Sequence, residues 1–374
     1  MTIVTHSPLA LRHYREQISL SVALLAKKTG INENKLIKAE DNPNILTFKQ
    51  LKKIADCLFV PVFFLLSETL HLSDLPSDID YRNHNHDNDP NTEYLLKKTI
   101  YEVIKNRNDL LYTYDSIDIT PKTFDLQLTG DNAEEDAKRI RSFLQIDTKK
   151  LKTHNDDDYY QSWRLILERQ DVLVLEINRT DIHSEGFALY YRTLPIITIL
   201  SKNQSPSRRL FTMVHELVHL GLRQSAIDGN ILTDNQAIER YCNQVAGFVL
   251  LPMTAINQTF NPKSNLIDNI ATIRKKQKIS RQAIAIQLKL TGKISQDELD
   301  DYLTDQNKKH EEKQENGRPM VKTEYTAYSH FGKVYIQQVL SATMDNSISM
   351  TSAMNILGIK TVEHYRYLEQ RAFS

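Results

Sequence analysis

Apolar residues recur at helical spacing through the first seventy positions, broken by turn residues that mark where each helix starts and stops. Leu9 to Gln17 reads as one helix. Ser21 caps a second through Lys28, Gly30 closes it, and Asn32 caps a third reaching Glu40. A fourth runs from Thr47 through Leu58, before Pro61 and the run Phe63-Phe64-Leu65-Leu66. The pattern then stops. Ser73 to Asn91 is polar and includes His84 and His86 beside aspartates, with no apolar periodicity to hold a geometry, so it is read as a solvated linker. Helical spacing resumes over Tyr94–Ile104 and Asp131–Leu144, and Asp156-Asp157-Asp158 reads as a solvated turn before a helix carrying Trp163.

Three short apolar runs follow: Val172–Ile177, Gly186–Tyr191 and Pro195–Leu200. Each is bounded by turn residues and has strand length, so together they predict a small sheet. Two long helical patterns come next, Arg208–Leu220 and Asn235–Leu251, the second stopped by Pro252. Ala271–Gln277 and the capped segment Ile279–Leu288 continue the helical pattern. A polar stretch, Asp305 to Pro319, precedes a further helical unit with Ser349–Leu357 and Val362–Leu368 on either side of Gly358. The expected fold class is α+β, mainly helical. The expected domains are a helical unit at 1–70, a linker at 71–93, a central domain with the sheet at 94–300, a polar linker at 301–319 and a C-terminal helical domain at 320–374.

Composition narrows the reading modestly. At 374 residues with 40% hydrophobic content the chain has enough apolar material for ordinary cores. Lys+Arg and Asp+Glu are 47 each, so overall charge gives no argument for a nucleic-acid or membrane partner. Two isolated cysteines, Cys57 and Cys242, exclude a disulfide framework and a cysteine-only zinc site and suit a reducing, cytoplasmic setting. No apolar run is long enough for a membrane span and no leader pattern is evident, so neither is expected.

The candidate chemistry lies in His215-Glu216-Leu217-Val218-His219. On a helix, residues four apart share a face, so His215 and His219 present two imidazoles to one metal ion. Glu216 between them can take a proton from a zinc-bound water. A catalytic zinc takes three protein ligands, and Glu239 on the following helix is assigned as the third. Asn243, one turn beyond Glu239, is positioned to orient a ligand. Cys242 is a small buried residue or a soft competing ligand. Tyr190, Tyr191, Arg208 and Arg209 are candidates for stabilising a developing oxyanion. Zinc is the expected metal; manganese and iron suit the same donors.

Two resemblances extend the reading. The stretch from Ser21 to Glu40 resembles a Cro/repressor-type helix-turn-helix domain, which implies that Asn32, Asn34, Lys35 and Lys38 lie nearest the bases and phosphates of bound DNA. Residues 1–70 carry nine basic against six acidic side chains, a small excess for phosphate binding, and docking on a protein partner is the other use of such a domain. The runs Gly186-Phe-Ala-Leu-Tyr, Leu194-Pro-Ile-Ile, Arg208–Leu220 and Glu239–Pro252 resemble the ImmA/IrrE family of bacterial metallopeptidases, more weakly from Leu75 to about Leu290. That resemblance implies a zinc endopeptidase, with His215, His219 and Glu239 as ligands and Glu216 as general base. It further implies cleavage of a helix-turn-helix repressor and control of transcription in a stress response. Three functional expectations follow: a repressor-cleaving peptidase recruited by its own DNA-binding domain, a DNA-binding regulator whose zinc domain is a sensor with little turnover, and a peptidase held idle by residues 1–70. A homodimer is compatible with each.

Overall fold

The computed structural model describes residues 2–70, 90–148, 151, 154–178, 184–202, 204–223, 235–311 and 323–373. Most of the first expected linker, with His84 and His86, lies outside these, as does the second beyond residue 311. Among the described residues the protein is mainly helical, with sixteen α-helices and one three-stranded sheet, as its pattern predicts. Chain contacts divide it into two compact units, residues up to Asn106 and residues from Arg107 onward.

In the first unit, α1 (Pro8–Gln17), α2 (Val22–Thr29), α3 (Glu33–Ala39) and α4 (Phe48–Leu58) surround Leu11, Tyr14, Leu25, Leu36, Leu51 and Ile54, all buried. Ser21 and Asn32 are the caps the sequence predicts, and Ser7 and Thr47 act likewise; each accepts a backbone N–H of the first turn. Gly30 takes the left-handed conformation (φ 69°) that ends α2, so three residues carry the chain from α2 into α3. Arg15 closes the unit by donating to Glu40 at 2.9 Å. The next helix, α5, spans Pro90–Ser116 and takes in the last four residues of the expected linker. Its Tyr94 and Tyr101 rings stack on Phe59.

The second unit is built on the sheet β1 (Leu173–Ile177), β2 (Gly186–Leu189) and β3 (Ile196–Leu200), in the order β1-β3-β2. β1 runs parallel to β3 with Leu173 opposite Ile196, and β2 runs antiparallel with Gly186 opposite Ile199. β1 and β3 are buried along their whole length, which explains why they are apolar except at Glu176 and Thr198. Helices α6 (Ala133–Leu144), α7 (Asp156–Glu168), α8 (Pro206–Gly221) and α9 (Asn235–Leu250) share one core with the sheet, centred on Trp163, Val174, Ile197, Leu217 and Val245. The aspartate triplet differs from expectation: Asn155 is the cap and Asp156 to Asp158 form the first turn of α7. Carboxylates there meet the positive end of the helix dipole, which favours helix over turn.

Helices α10 (Met253–Thr259), α11 (Leu266–Gln277), α12 (Arg281–Leu290) and α13 (Gln296–Glu311) follow, so the polar stretch read as starting near 301 is helical as far as it is described. Then α14 (Thr323–Met344), α15 (Met350–Ile356) and α16 (Val362–Ala372) complete the same compact unit, α14 packing on both α7 and β1. Gly332 interrupts α14 with φ 78° and ψ 175°. A side chain there would place its Cβ 1.8 Å from Glu168 Oε1 and 2.8 Å from Arg164 Nη2, so only glycine fits.

Candidate metal centre

Ser205 caps α8 and Pro206 occupies its first turn, so the helix starts cleanly at the end of the β3 connection. Leu210, Met213, Val214, Leu217 and Leu220 bury one side of it in the core. His215 and His219 therefore fall together on the adjoining face, with side chains 13% and 16% exposed. Cys242, Val245 and Ala246 of α9 face the same core, which sets Glu239 at its edge with 55% of its side chain exposed.

The three side chains converge. His215 Nε2 is 3.1 Å from Glu239 Oε2, His219 Nε2 is 3.4 Å from Glu239 Oε1, and the two Nε2 atoms are 3.1 Å apart. Ligand atoms around a tetrahedral zinc, bonded at about 2.0–2.1 Å, stand about 3.3–3.4 Å from one another. The donor set of two imidazoles and a carboxylate thus fits such an ion in both chemistry and spacing. Among the described residues these three form the one group of His, Cys, Asp or Glu able to hold a metal, their ligand atoms lying within 4.8 Å of one another.

Electrostatics sharpens the picture. Hydrogen bonds from His215 and His219 hold the Glu239 carboxyl well below the usual carboxylate range. For His215, burial disfavours the charged ring, but the Glu239 hydrogen bond and the nearby Glu216 outweigh it and raise its pKa. Burial pushes the Glu216 carboxyl up, with His215 and His219 acting in the opposite direction. Glu216 is 7% exposed and sits beside β2, where a Cβ on Gly186 would lie 3.3 Å from Glu216 Oε1 and 2.7 Å from Thr198 O. Glycine at 186 lets the strand approach the motif helix this closely.

Asn243 Oδ1 lies 3.1 Å from His215 Nδ1 and accepts its N–H, so that Nε2 is the ring nitrogen facing Glu239 and His219. Cys242 Sγ lies 3.8 Å from His219 Nδ1, and burial raises the thiol pKa. Of the oxyanion candidates, Arg208 pairs with Glu185, Tyr191 lies under the Arg107 guanidinium at 3.8 Å, and the Tyr190 ring meets Phe124 edge-on. Arg209 donates to Glu176 and to Asp157. In the first unit, Asn34 and Lys38 are exposed on α3, Asn32 is its cap, and Lys35 donates to Gln50 at 2.9 Å.

Sequence reasoning missed two supporting clusters. Asp136, fully buried, accepts from the backbone of Thr129 and Gly130 and from the Tyr241 hydroxyl at 2.8 Å, anchoring α9 two residues from Glu239. Burial alone would raise its pKa, but those donors hold it low. Behind the sheet, Arg164 donates to Glu168 (2.7 Å), Glu176 (2.8 Å) and the carbonyls of Val174, Ser329 and His330. Glu168 in turn accepts the Val334 N–H, and Glu176 accepts from Tyr160 and Arg209, tying the root of α8 to the network. The visible signal was Glu176, a lone acid inside an otherwise apolar strand.

A search of curated proteins finds no match to the chain. Residues 167–289, from the end of α7 to the last turn of α12, match the family model described as the IrrE N-terminal-like domain, a peptidase family that points to a metallopeptidase, and all three members of the candidate metal group lie within that span.

Proposed function

We propose that this chain is a zinc endopeptidase that regulates transcription by cleaving a helix-turn-helix repressor-type protein. His215, His219 and Glu239 would hold the ion, and the separations of 3.1, 3.1 and 3.4 Å beside the buried Glu216 carry the reading. Bound zinc would supply Lewis acidity toward water and toward a peptide carbonyl. Glu216 takes the proton of the attacking water and returns it to the leaving amine; a carboxyl whose pKa is raised by burial suits both transfers. Asn243 fixes the ring of His215.

β2 is the edge of the sheet nearest this face. Leu200 N donates to Glu185 O, so the alternation of the antiparallel ladder turns the backbone groups of Gly186 and Ala188 away from β3. An extended segment of substrate can add to that edge. Ser184 Oγ already donates to the Gly186 carbonyl at 2.7 Å. Residues 1–70 would bring the enzyme to DNA, with Asn34 and Lys38 of α3 exposed for contact and Asn32 and Lys35 beside them. A cytoplasmic location follows from that role.

Glu216→Gln keeps the shape of the side chain and removes the base. The variant should retain zinc and lose cleavage of the repressor-type proteins of its own genome by about 10²–10⁴-fold. Undiminished proteolysis, followed by gel and mass spectrometry, would sink the proposal. Unchanged regulation in cells carrying that variant would favour a DNA-binding sensor without turnover.

A further inference from the structure

We infer that Cys242 is a positioning residue for the metal centre: its sulfur accepts the Nδ1–H of His219 and thereby aims Nε2 at the ion. The inference rests on the proposed ligand set. An imidazole that offers Nε2 to a metal carries its proton on Nδ1, and that proton needs an acceptor if the ring is to keep one orientation. His215 has the Asn243 amide oxygen at 3.1 Å. His219 has Cys242 Sγ at 3.8 Å.

The two acceptors are consecutive on α9, and Glu239 lies one turn before them. One helix thus supplies a ligand and fixes the orientation of the other two. The alternative role for the thiol, as a ligand, does not suit its place. Sγ is on the Nδ1 edge of the His219 ring, and it is not among the ligand atoms grouped within 4.8 Å. Cys242 is wholly buried in the core that α8 and α9 share, so its position is set by packing. Sulfur is a weaker hydrogen-bond acceptor than an amide oxygen, so His219 is held by the softer of the two contacts.

The test uses the full chain and Zn²⁺ itself, with the dissociation constant read by competition against a chromophoric chelator. Cys242→Ala should weaken zinc binding about tenfold, the low end of the usual cost of losing a partner to a ligating histidine. Cys242→Ser, which keeps an acceptor, should recover a substantial part of that loss. Should the alanine variant fail to fold, Cys242→Val fills the space without an acceptor and is expected to show the same weakening. The Co²⁺-loaded wild type should lack a sulfur-to-metal charge-transfer band. A folded alanine or valine variant with wild-type zinc affinity would overturn the inference alone, as would a charge-transfer band that disappears in that variant. A wild-type protein that binds no zinc would overturn the ligand assignment with it.

Discussion

The second unit contains two clusters of ionisable side chains of opposite construction. The His215–His219–Glu239 group lies at the rim of the core, with half of the glutamate exposed and each ligand atom turned toward a shared point. The Arg164–Glu168–Glu176–Arg209 group lies behind the sheet, where Arg164 is 1% exposed and the acids are nearly as buried. There the acceptors and donors are spent on one another, on the Tyr160 hydroxyl and on the carbonyls and amide of residues 329–334. A charge network paired in this way holds chain segments together. An open group of two imidazoles and a carboxylate keeps its lone pairs for an ion.

That contrast can be broken from either side. Removing one partner from the closed cluster should have the largest effect. Arg164→Ala leaves Glu168 buried without its cation and Glu176 with Arg209 alone, and should cost about 3–5 kcal/mol in denaturant unfolding; a loss below about 1 kcal/mol would mean that the cluster does not bind α7, β1 and α14 together. It should leave the geometry of the metal group intact in whatever fraction stays folded.

Asp136→Asn should cost about 1.5–3 kcal/mol at neutral pH, since a charged acceptor of several hydrogen bonds is lost. The Asp136 pKa is lowered in the folded protein, so its contribution is present above the unfolded value of about 3.9 and fades as pH falls through the folded one. The gap between variant and wild type should therefore close below about pH 4. A gap independent of pH would assign the loss to shape instead of charge.

The smallest effect belongs to the open cluster. Asn243→Ala should weaken zinc binding about tenfold, near 1.4 kcal/mol, with thermal stability of the metal-free protein little changed. A change confined to stability would turn Asn243 into a packing residue and erase the distinction between the clusters.

The two clusters also differ in how well they could be read from sequence. His215, Glu216 and His219 declare themselves because their chemistry is local, within five residues of one helix, and Glu239 was reachable as an acid at the edge of the next apolar stripe. The strands were legible as runs bounded by turn residues. Arg164 and Glu168 are also four apart on a helix, but that spacing is shared by countless exposed pairs, and burial depends on Glu176, Val334 and Gly332, far away in the chain. Asp136 was hidden for the same reason, since its partner Tyr241 is more than a hundred residues away. The aspartates of α7 were misread because a polar triplet suits a turn and a helix start equally.

The break at Gly332 bears on how the protein is made. Residues 329–334 leave the ribosome after the whole metal group and after every other member of the buried network. Until they arrive, Arg164 lacks two of its carbonyls and Glu168 lacks its backbone donor. The buried network of the second unit is therefore completed by a segment made late, and a nascent chain stalled before that point carries His215, His219 and Glu239 on a scaffold that has not yet closed.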